Sequence, residues 1–208
     1  MKLFYTPFIG LVHKVQVVAI ETGVYDDLDR NPIIPYEQRE ELVAVNPLSK
    51  VPTFVLDDGT PLFGGPVIYE YLDSLNTGPK MYLPAGTPER FVDLRRMSMG
   101  EWMFDIANIR NFEQNRPDEH IVTKNVERME NQIRRSMDWA EAECDTYTGF
   151  TIGQICIACA LLYHNWQISR GRDLVDWRDG RPRLAAWYDR FTDRPSFVPR
   201  DEEVEEAA

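Results

Sequence analysis

The chain has 208 residues, of which 43% are hydrophobic and 27% are charged, and its formal net charge at pH 7 is −11. This length suits one large or two small domains with a core that needs no disulfide framework. The acidic balance disfavours nucleic acid as a partner, because phosphate carries the same sign of charge. No apolar run reaches membrane-spanning length and no signal-peptide pattern follows Met1, so we expect a cytoplasmic protein that does not enter a membrane.

The first 45 residues alternate between strand-like and helix-like patterns. A short strand is predicted over residues 2–5 and an apolar helix over residues 9–22, with Gly23 just past its end. A second strand is predicted over residues 24–28, and an amphipathic helix over residues 36–45. Because a helical crossover joins the first two strands, this order indicates a mixed sheet with helices on its faces.

The next segment reads as loop, strand, turn, strand and helix. Residues 53–56 and 60–63 are the strands, and Asp58-Gly59 predicts a primed two-residue turn between them, since glycine tolerates positive φ. Gly64-Gly65 then leads into a helix with Pro66 at its first position. Apolar residues recur on one face of that helix, at Ile68, Tyr71, Leu72 and Leu75.

The remainder of the chain is predicted to be helical. Thr87-Pro88-Glu89 is typical of a helix N-terminus, and that helix should run to about residue 115. Further helices are expected from about residue 117 to 143 and over residues 183–190. Between them, a capping box is predicted in which Thr151 accepts from the backbone N–H of Gln154 and the Gln154 side chain reaches back. The apolar run after it predicts the buried centre of a helical domain.

One stretch resembles a known family. The pattern NPLxKVPxxVLDDGxxLF…VIxEYLD, over residues 46–73, resembles the second half of the glutathione-binding domain of cytosolic glutathione transferases. The resemblance implies an α/β thioredoxin-like N-terminal domain over residues 1–76, a linker over 77–87, an all-α helical-bundle domain over 88–200 and an acidic tail over 201–208. It also implies a homodimer. The family usually has Asp where this chain has Gln154.

The resemblance implies a glutathione site on the loop before the hairpin. The family carries a cis-proline there, so we expect a cis Val51-Pro52 bond. The backbone of Val51 would then pair with the cysteinyl residue of glutathione as an added strand. Lys50 either meets a carboxylate of the ligand or is a solvated loop lysine.

The start of the following helix departs from the family, which usually has Glu-Ser where this chain has Gly64-Gly65. Gly65 keeps a backbone N–H that attracts a carboxylate, but it lacks the serine hydroxyl. Gly64 lacks the carboxylate that would meet the γ-glutamyl ammonium. The loss of two charge-assisted contacts should reduce the binding free energy of glutathione by about 1.5–3 kcal/mol each, so we expect weak binding. The alternatives are that the site takes a different ligand or is unused.

Activation of the glutathione thiol needs a donor near the sulfur, because a hydrogen bond favours the thiolate. Bacterial-like branches of the family place a Ser or Cys at the start of the first helix, whereas residues 9–12 here are Ile, Gly, Leu and Val. The nearest hydroxyls belong to Tyr5 and Thr6, which are therefore the candidate catalytic residues. The alternative is a packed tyrosine and a turn threonine. His13 is expected to be a partly exposed helix residue.

The resemblance also implies a pocket for a small apolar electrophile between the two domains. Its lining would come from the loop after the first strand and from the first helix of the second domain. Apolar residues at helical spacing are more often core residues than pocket residues, so we expect about half of the candidates to face the pocket. The candidates are Phe8, Ile9, Met99, Trp102, Met103 and Phe104.

The CxxC sequence at Cys156-Ile157-Ala158-Cys159 lies within an apolar helical run. A redox CxxC sits at a helix start after the first strand, so we interpret these cysteines as small core residues. A zinc site needs four ligands, and the chain has three histidines far apart in sequence and no second cysteine pair, so no metal site is expected.

Two functions remain open at this level. The first is a glutathione-dependent enzyme that conjugates glutathione to a small apolar electrophile or displaces a group from it. The second is a binding or regulatory protein that keeps the fold without the chemistry. The proline loop and the two-domain frame favour the enzyme, whereas the missing Ser or Cys and the Gly64-Gly65 pair favour the alternative.

Overall fold

The computed structural model describes residues 1–6, 11–33, 39–172 and 174–198. By its internal contacts the chain divides into two units. The first comprises Met1–Leu83 together with the described residues from Arg194 onward, and the second is Pro84–Asp193. The first contains a small mixed sheet with helices and the second is helical, which confirms the predicted fold class.

The first unit is built on a four-stranded sheet in the order β2-β1-β3-β4. Strand β1 pairs in parallel with β2 and antiparallel with β3, and β3 pairs antiparallel with β4. Buried Phe4, Ile33 and Leu42 form one apolar cluster beside the sheet. The elements of this unit, in order, are β1 Lys2–Tyr5, α1 Leu11–Glu21, β2 Asp29–Pro32, α2 Arg39–Val45, β3 Thr53–Val55, β4 Pro61–Phe63 and α3 Gly65–Leu75.

The second strand lies later in the chain than predicted. Residues Tyr25–Asp27 form a 3₁₀ turn with Tyr25 buried, and β2 follows at Asp29–Pro32. Strand β2 is at the edge of the sheet, where polar residues and a proline are tolerated because one side needs no hydrogen-bond partner. An edge strand of sequence DRNP carries no apolar alternation, so the pattern pointed to the wrong segment.

The hairpin between β3 and β4 is wider than a two-residue turn. The N–H of Gly59 donates to the carbonyl of Leu56 at 3.0 Å, and the N–H of Leu56 donates to the carbonyl of Thr60 at 2.9 Å. Gly59 alone within this loop has positive φ, at 87°. A primed turn needs positive φ at its first central position, so the predicted turn type is wrong, although the need for glycine is confirmed.

The described C-terminal end of the chain returns to the first unit. The guanidinium of Arg194 donates to both carboxylate oxygens of Glu21 in α1, at 2.9 and 2.6 Å, and the hydroxyl of Ser196 donates to the same carboxylate at 2.6 Å. Burial works against the charge of Glu21, but these bonds hold the pKa of Glu21 below its usual value. Phe197 is buried, and its ring centroid lies 6.0 Å from that of His13.

The described residues of the second unit form four α-helices, α4 Pro88–Gln114, α5 Thr123–Glu143, α6 Ile152–Ser169 and α7 Pro182–Thr192, with two short 3₁₀ turns between them. Helix α6 is buried along most of its length, as predicted, and it packs against α4. A Cβ at Gly100 of α4 would lie 2.4 Å from the carbonyl carbon of Cys156, so only glycine permits this close approach. None of the described helices combines the length and the apolarity that a membrane span requires.

The predicted cap of α6 is wrong in its partners. The hydroxyl of Thr151 donates to Asp93 Oδ1 at 2.6 Å, and the N–H of Gly153 donates to Asp93 Oδ2 at 3.1 Å. The Gln154 side-chain amide donates to Thr151 Oγ1 at 3.1 Å and to the carbonyl of Thr148 at 2.9 Å, and its Oε1 accepts no hydrogen bond from a described residue. A carboxylate from α4 thus caps α6 in a chain that has glutamine where the family usually has aspartate. Burial raises the pKa of Asp93, and its two hydrogen bonds oppose that rise.

Candidate functional site

A buried asparagine organises the loop between α2 and β3. The Asn46 side chain is 1% exposed and makes three hydrogen bonds, to the carbonyl of Lys50, to Thr53 Oγ1 and from the N–H of Leu48. The Thr53 hydroxyl donates back to the carbonyl of Lys50 at 2.7 Å. Because these bonds fix both ends of the loop, its tip presents a defined backbone conformation before any ligand arrives.

The tip of this loop carries the predicted ligand residues Lys50, Val51 and Pro52. The Val51-Pro52 peptide bond is cis, as the resemblance implied. Neither the N–H nor the C=O of Val51 bonds to a residue that the structure describes. Lys50 is exposed and forms no salt bridge within the described chain. The loop therefore offers an extended backbone donor and acceptor, with a cation next to them.

The N-terminus of α3 follows β4 and begins without a side-chain cap. Gly64 has a φ of 89°, and its carbonyl accepts from the N–H of Val67 at 3.2 Å and from that of Ile68 at 3.3 Å. Gly64 supplies no side-chain cap to the described helix, and a side-chain hydrogen bond within the described residues reaches a carbonyl of its first turn, from the Tyr82 hydroxyl to Pro66 at 3.0 Å. A residue with a Cβ at position 64 would be strained by about 1–2 kcal/mol in this backbone conformation.

A tyrosine from the next turn fills the space in front of Gly65. A Cβ at position 65 would lie 2.3 Å from the Tyr69 hydroxyl oxygen and 2.7 Å from Cζ of the same ring. Tyr69 is 1% exposed, so its ring has little room to move aside. The sequence predicted an apolar face of α3 at Ile68 and Leu72, which are buried, but it missed Tyr69. This chain therefore has a tyrosine where the family's serine side chain would be.

The two candidate catalytic hydroxyls lie at the end of β1 and differ in their surroundings. Thr6 is 6% exposed, and its Oγ1 is buried without a hydrogen-bond partner in the described chain. Tyr5 is equally buried and does have an interaction partner. The antiparallel register ends with Phe4 opposite Thr53, so Thr6 and Val51 each lie two residues beyond the last pair of β1 and β3. The Oγ of Ser49 in the same loop is likewise buried and unbonded.

His13 is buried, contrary to the expected partial exposure. It is 2% exposed in α1, with hydrogen bonds to Gln16 and to the backbone of Phe197. Burial lowers its pKa to about 4, so the imidazole is neutral at pH 7. The expectation failed because the C-terminal segment, distant in sequence, covers this face of α1.

The residues predicted to line an electrophile pocket have different surroundings. Phe8 and Ile9 lie outside the described residues. Met103 and Phe104 are buried, and the Phe104 ring centroid lies 4.5 Å from that of Tyr163 in α6. Met99 is half-buried, and Trp102 is 63% exposed. Trp102 and Met99 thus remain accessible from outside the helical core, whereas Met103 and Phe104 belong to it.

The cysteines are core residues, as predicted. Cys156 and Cys159 are at most 1% exposed within α6, and Cys144 is also buried. Burial raises the pKa of the Cys144 thiol, which makes it less reactive. Across residues 1–6, 11–33, 39–172 and 174–198, no three His, Cys, Asp or Glu side chains are placed to hold a metal ion.

Sequence reasoning missed the residues that position the site. Asn46 precedes a proline and accepts from the N–H two residues on, the Asx-turn pattern, which is a signal that the sequence does offer. Tyr69 is four residues after Gly65, a spacing that places side chains on one helix face. Asp93 gave no local signal, because its partners lie 58 and 60 residues away.

Two family models match the chain. One described as "Glutathione S-transferase, N-terminal domain" covers residues 11–75, and one described as "Glutathione S-transferase, C-terminal domain" covers residues 123–190. The order and positions of the two matches follow the two units of the fold.

Curated and solved relatives match over nearly the whole chain. The Escherichia coli K12 "Uncharacterized GST-like protein YibF" is 28% identical over 205 residues, which is 95% of this chain and 96% of the relative. A glutathione transferase family member from Pseudomonas fluorescens Pf-5, solved with bound glutathione, is 30% identical with a TM-score of 0.84 over 94% of this chain and 96% of that one. A Methylobacillus flagellatus glutathione S-transferase with bound glutathione is 25% identical, with a TM-score of 0.85 over 94% of this chain and 96% of that one.

Proposed function

Because the chain belongs to the glutathione S-transferase superfamily, we propose that it is a glutathione-dependent transferase. It conjugates the thiol of glutathione to a small apolar electrophile, or displaces a group from it. Relatives that are 25–30% identical over nearly their whole length were solved with glutathione bound, which supports glutathione as the cosubstrate.

The observation that carries this proposal is the free backbone of Val51 on a loop fixed by Asn46. An extended peptide can pair with this backbone as an added strand, and the cysteinyl residue of glutathione supplies the matching N–H and C=O. A loop that is already ordered loses little entropy on binding. The exposed Lys50 is placed beside this backbone to meet the glycyl carboxylate of the ligand.

Glutathione binding is weak in this proposal, because the γ-glutamyl end meets two glycines. Gly64 offers no carboxylate for the ligand's ammonium, and Gly65 offers only its N–H to the ligand's carboxylate. The two missing charge-assisted hydrogen bonds remove about 1.5–3 kcal/mol each. We therefore expect a dissociation constant in the millimolar range.

Thr6 is the donor to the thiolate in this mechanism, and Tyr5 is the second candidate. Support comes from the Thr6 hydroxyl, which is buried without a partner among the described residues, and from the end of β1, where Phe4 pairs with Thr53 of the strand that follows Val51-Pro52. A hydrogen bond from this hydroxyl to the sulfur lowers the thiol pKa. The thiol proton goes to solvent, and the sulfur lone pair forms a bond to the electrophilic carbon. In a displacement, the leaving group departs with the electron pair of its bond to that carbon.

The electrophile, the assembly state and the location complete the proposal. The apolar side chains of Met99 and Trp102 on α4, which lie outside the buried helical core, favour an apolar electrophile. The large exposed side chains of Phe91, Ile109 and Phe112 on α4 support a homodimer, since a second copy would remove them from water. The three buried cysteines form no disulfide, which is in keeping with a cytoplasmic location.

A second candidate is a binding or regulatory protein with the same fold and no turnover. It is favoured by the absence of Ser and Cys from residues 9–12 and by the tyrosine in front of Gly65. It differs from the transferase in one measurable respect, because it binds glutathione or a related peptide without lowering the thiol pKa.

Calorimetric titration with glutathione, followed by the pH dependence of thiolate absorbance in the complex, tests the proposal. We expect saturable binding, and a bound thiol with a pKa below that of free glutathione. Thr6→Val should raise that pKa, whereas Tyr5→Phe should leave it unchanged. Absence of heat at millimolar glutathione would sink both candidates as glutathione binders. Binding with an unshifted thiol pKa would favour the second.

A further inference from the structure

A cavity of about 220 Å³ lies within the helical unit, and no residue proposed for glutathione lines it. One face of α5 supplies most of its wall at helical spacing, His164 of α6 adds to it, and the segment after α6 closes one side. None of its lining residues belongs to α4 or to the first unit. The lining residues are Glu130, Ile133, Arg134, Met137, His164, Leu174 and Val175.

Arg134 in this wall has no carboxylate partner within the described chain, although carboxylates occupy both neighbouring turns. Glu130 and Asp138 lie at i−4 and i+4 of Arg134, which is the usual spacing for helical ion pairs. Each is held by a different arginine. Buried Arg110 donates to Glu130 through Nε at 2.9 Å and also through Nη2. Buried Arg181 donates to Asp138 through Nε at 2.9 Å and through Nη2 at 2.6 Å.

The other polar group of the wall carries no charge. Burial lowers the pKa of His164, and its Nε2 lies 2.9 Å from the carbonyl oxygen of Val175. A carbonyl only accepts, so Nε2 must carry the proton, and the ring is the neutral tautomer with a bare Nδ1. With Glu130 matched by Arg110, the net charge left on the wall is that of Arg134. The remaining wall is apolar, and Ile133 and Met137 are at most 5% exposed.

We propose that this cavity binds a small aromatic monocarboxylate. A guanidinium binds a carboxylate through two parallel hydrogen bonds, and the thioether of Met137 makes favourable contacts with an aromatic ring. The size fits, because an apolar cavity of about 150 Å³ holds benzene, and the additional volume here admits a short acidic arm. Phenylacetate represents the class. In a chain of net charge −11, an arginine left unmatched beside an apolar cavity makes an anion the favoured ligand.

The test follows the methyl group of Met137 by NMR in full-length protein carrying ¹³C-methyl methionine. Phenylacetate is the probe, neutral phenylacetamide is its matched control, and Met81 in the first unit is the reference signal. We expect saturable shifts at Met137 with none at Met81, and about tenfold weaker binding of the amide, the loss expected for one charge-assisted contact. Arg134→Gln should remove the preference for the acid, and Arg134→Lys should keep part of it.

Two further variants make the outcome decisive. Arg135→Gln changes the net charge equally at the adjacent exposed arginine, which does not line the cavity, and should bind phenylacetate like the parent. Val175→Phe fills the cavity from its exposed rim and should abolish binding of both probes. Equal affinity for acid and amide, equal losses in Arg134→Gln and Arg135→Gln, or no saturation at Met137 would overturn the proposal. Displacement of phenylacetate by glutathione would place the acid at the thiol site and would also overturn it.

Discussion

Replacing Gly65 by serine should fail to restore the family's glutathione contact unless Tyr69 is changed as well. The new Cβ would lie 2.3 Å from the Tyr69 hydroxyl and 2.7 Å from Cζ, and the ring is 1% exposed. Overpacking of a buried site costs about 1–3 kcal/mol. We therefore expect Gly65→Ser to destabilise the protein by that amount and to leave glutathione affinity unchanged or weaker.

Tyr69→Leu should relieve the clash, because it removes both close atoms and keeps the face apolar. Alone it removes buried ring contacts and should cost about 2–4 kcal/mol. Combined with Gly65→Ser, the loss should be smaller than the sum by about 1–3 kcal/mol, which is the coupling expected for residues in contact. The added hydroxyl should strengthen glutathione binding by about 1.5–3 kcal/mol, or roughly tenfold to a hundredfold.

Urea unfolding of the parent, of Gly65→Ser, of Tyr69→Leu and of the double variant gives the coupling free energy between the two positions. Calorimetry of the same four proteins gives their affinities for glutathione. Gly65→Ala is the matched control, because it introduces the same Cβ without a hydroxyl. It should show the same loss of stability and no gain in binding in the Tyr69→Leu background. If Gly65→Ser alone is as stable as the parent and binds glutathione more tightly, then Tyr69 does not block the serine position and the reasoning is refuted.

Three other predictions concern residues that position the site and the core. Asn46→Ala should lower the free energy of unfolding by about 2–4 kcal/mol and weaken glutathione binding, because three hydrogen bonds of Asn46 fix the ligand loop. The control is Asn125→Ala at an exposed position, which should change neither quantity in urea unfolding or calorimetry. Asp93→Asn should cost about 1–3 kcal/mol in urea unfolding, since an amide nitrogen cannot accept from the N–H of Gly153. His13 has a pKa of about 4 in the folded protein and is therefore neutral there at pH 7. Its contribution to the free energy of unfolding is present above pH 6.5 and is lost as the pH falls towards 4. The pKa shift corresponds to roughly 3 kcal/mol of unfolding free energy. His13→Gln should therefore flatten the dependence of stability on pH between 4 and 6.5. An unchanged dependence would assign the loss of stability to other groups.

The presence of the loop and the hairpin could be predicted because their determinants are local, although the turn type was wrong, the role of Asn46 was missed and the cis bond was implied by the resemblance. Asn46, Pro52 and Gly59 act on residues within a few positions of themselves, through an asparagine turn, a cis bond and a positive φ. The helices expected to end near residue 143 and to span residues 183–190 are also present, as α5 Thr123–Glu143 and α7 Pro182–Thr192. Strand β2 was misplaced because an edge strand does not need an apolar face.

The errors at the site have a common physical cause. The cap of α6 comes from Asp93, the cover over His13 comes from Phe197, and each partner is far along the chain. Periodicity identifies which face of a helix is apolar, but it does not identify which distant residue will meet a polar group on that face. Likewise, the pair Gly64-Gly65 showed that a hydroxyl was missing, and only the three-dimensional arrangement showed the Tyr69 ring in its place.

The return of Arg194 and Ser196 to Glu21 makes the helical unit an insertion into the thioredoxin-like one. The smaller unit is therefore discontinuous in sequence, and a fragment that stops at Leu83 would lack the segment covering His13. Such a fragment would leave one side of α1 bare and Glu21 without its arginine. Joining Leu83 to Arg194 through a linker should instead retain the complete unit that carries the ligand loop, so this unit can be isolated by excising the middle of the chain rather than by truncating its end.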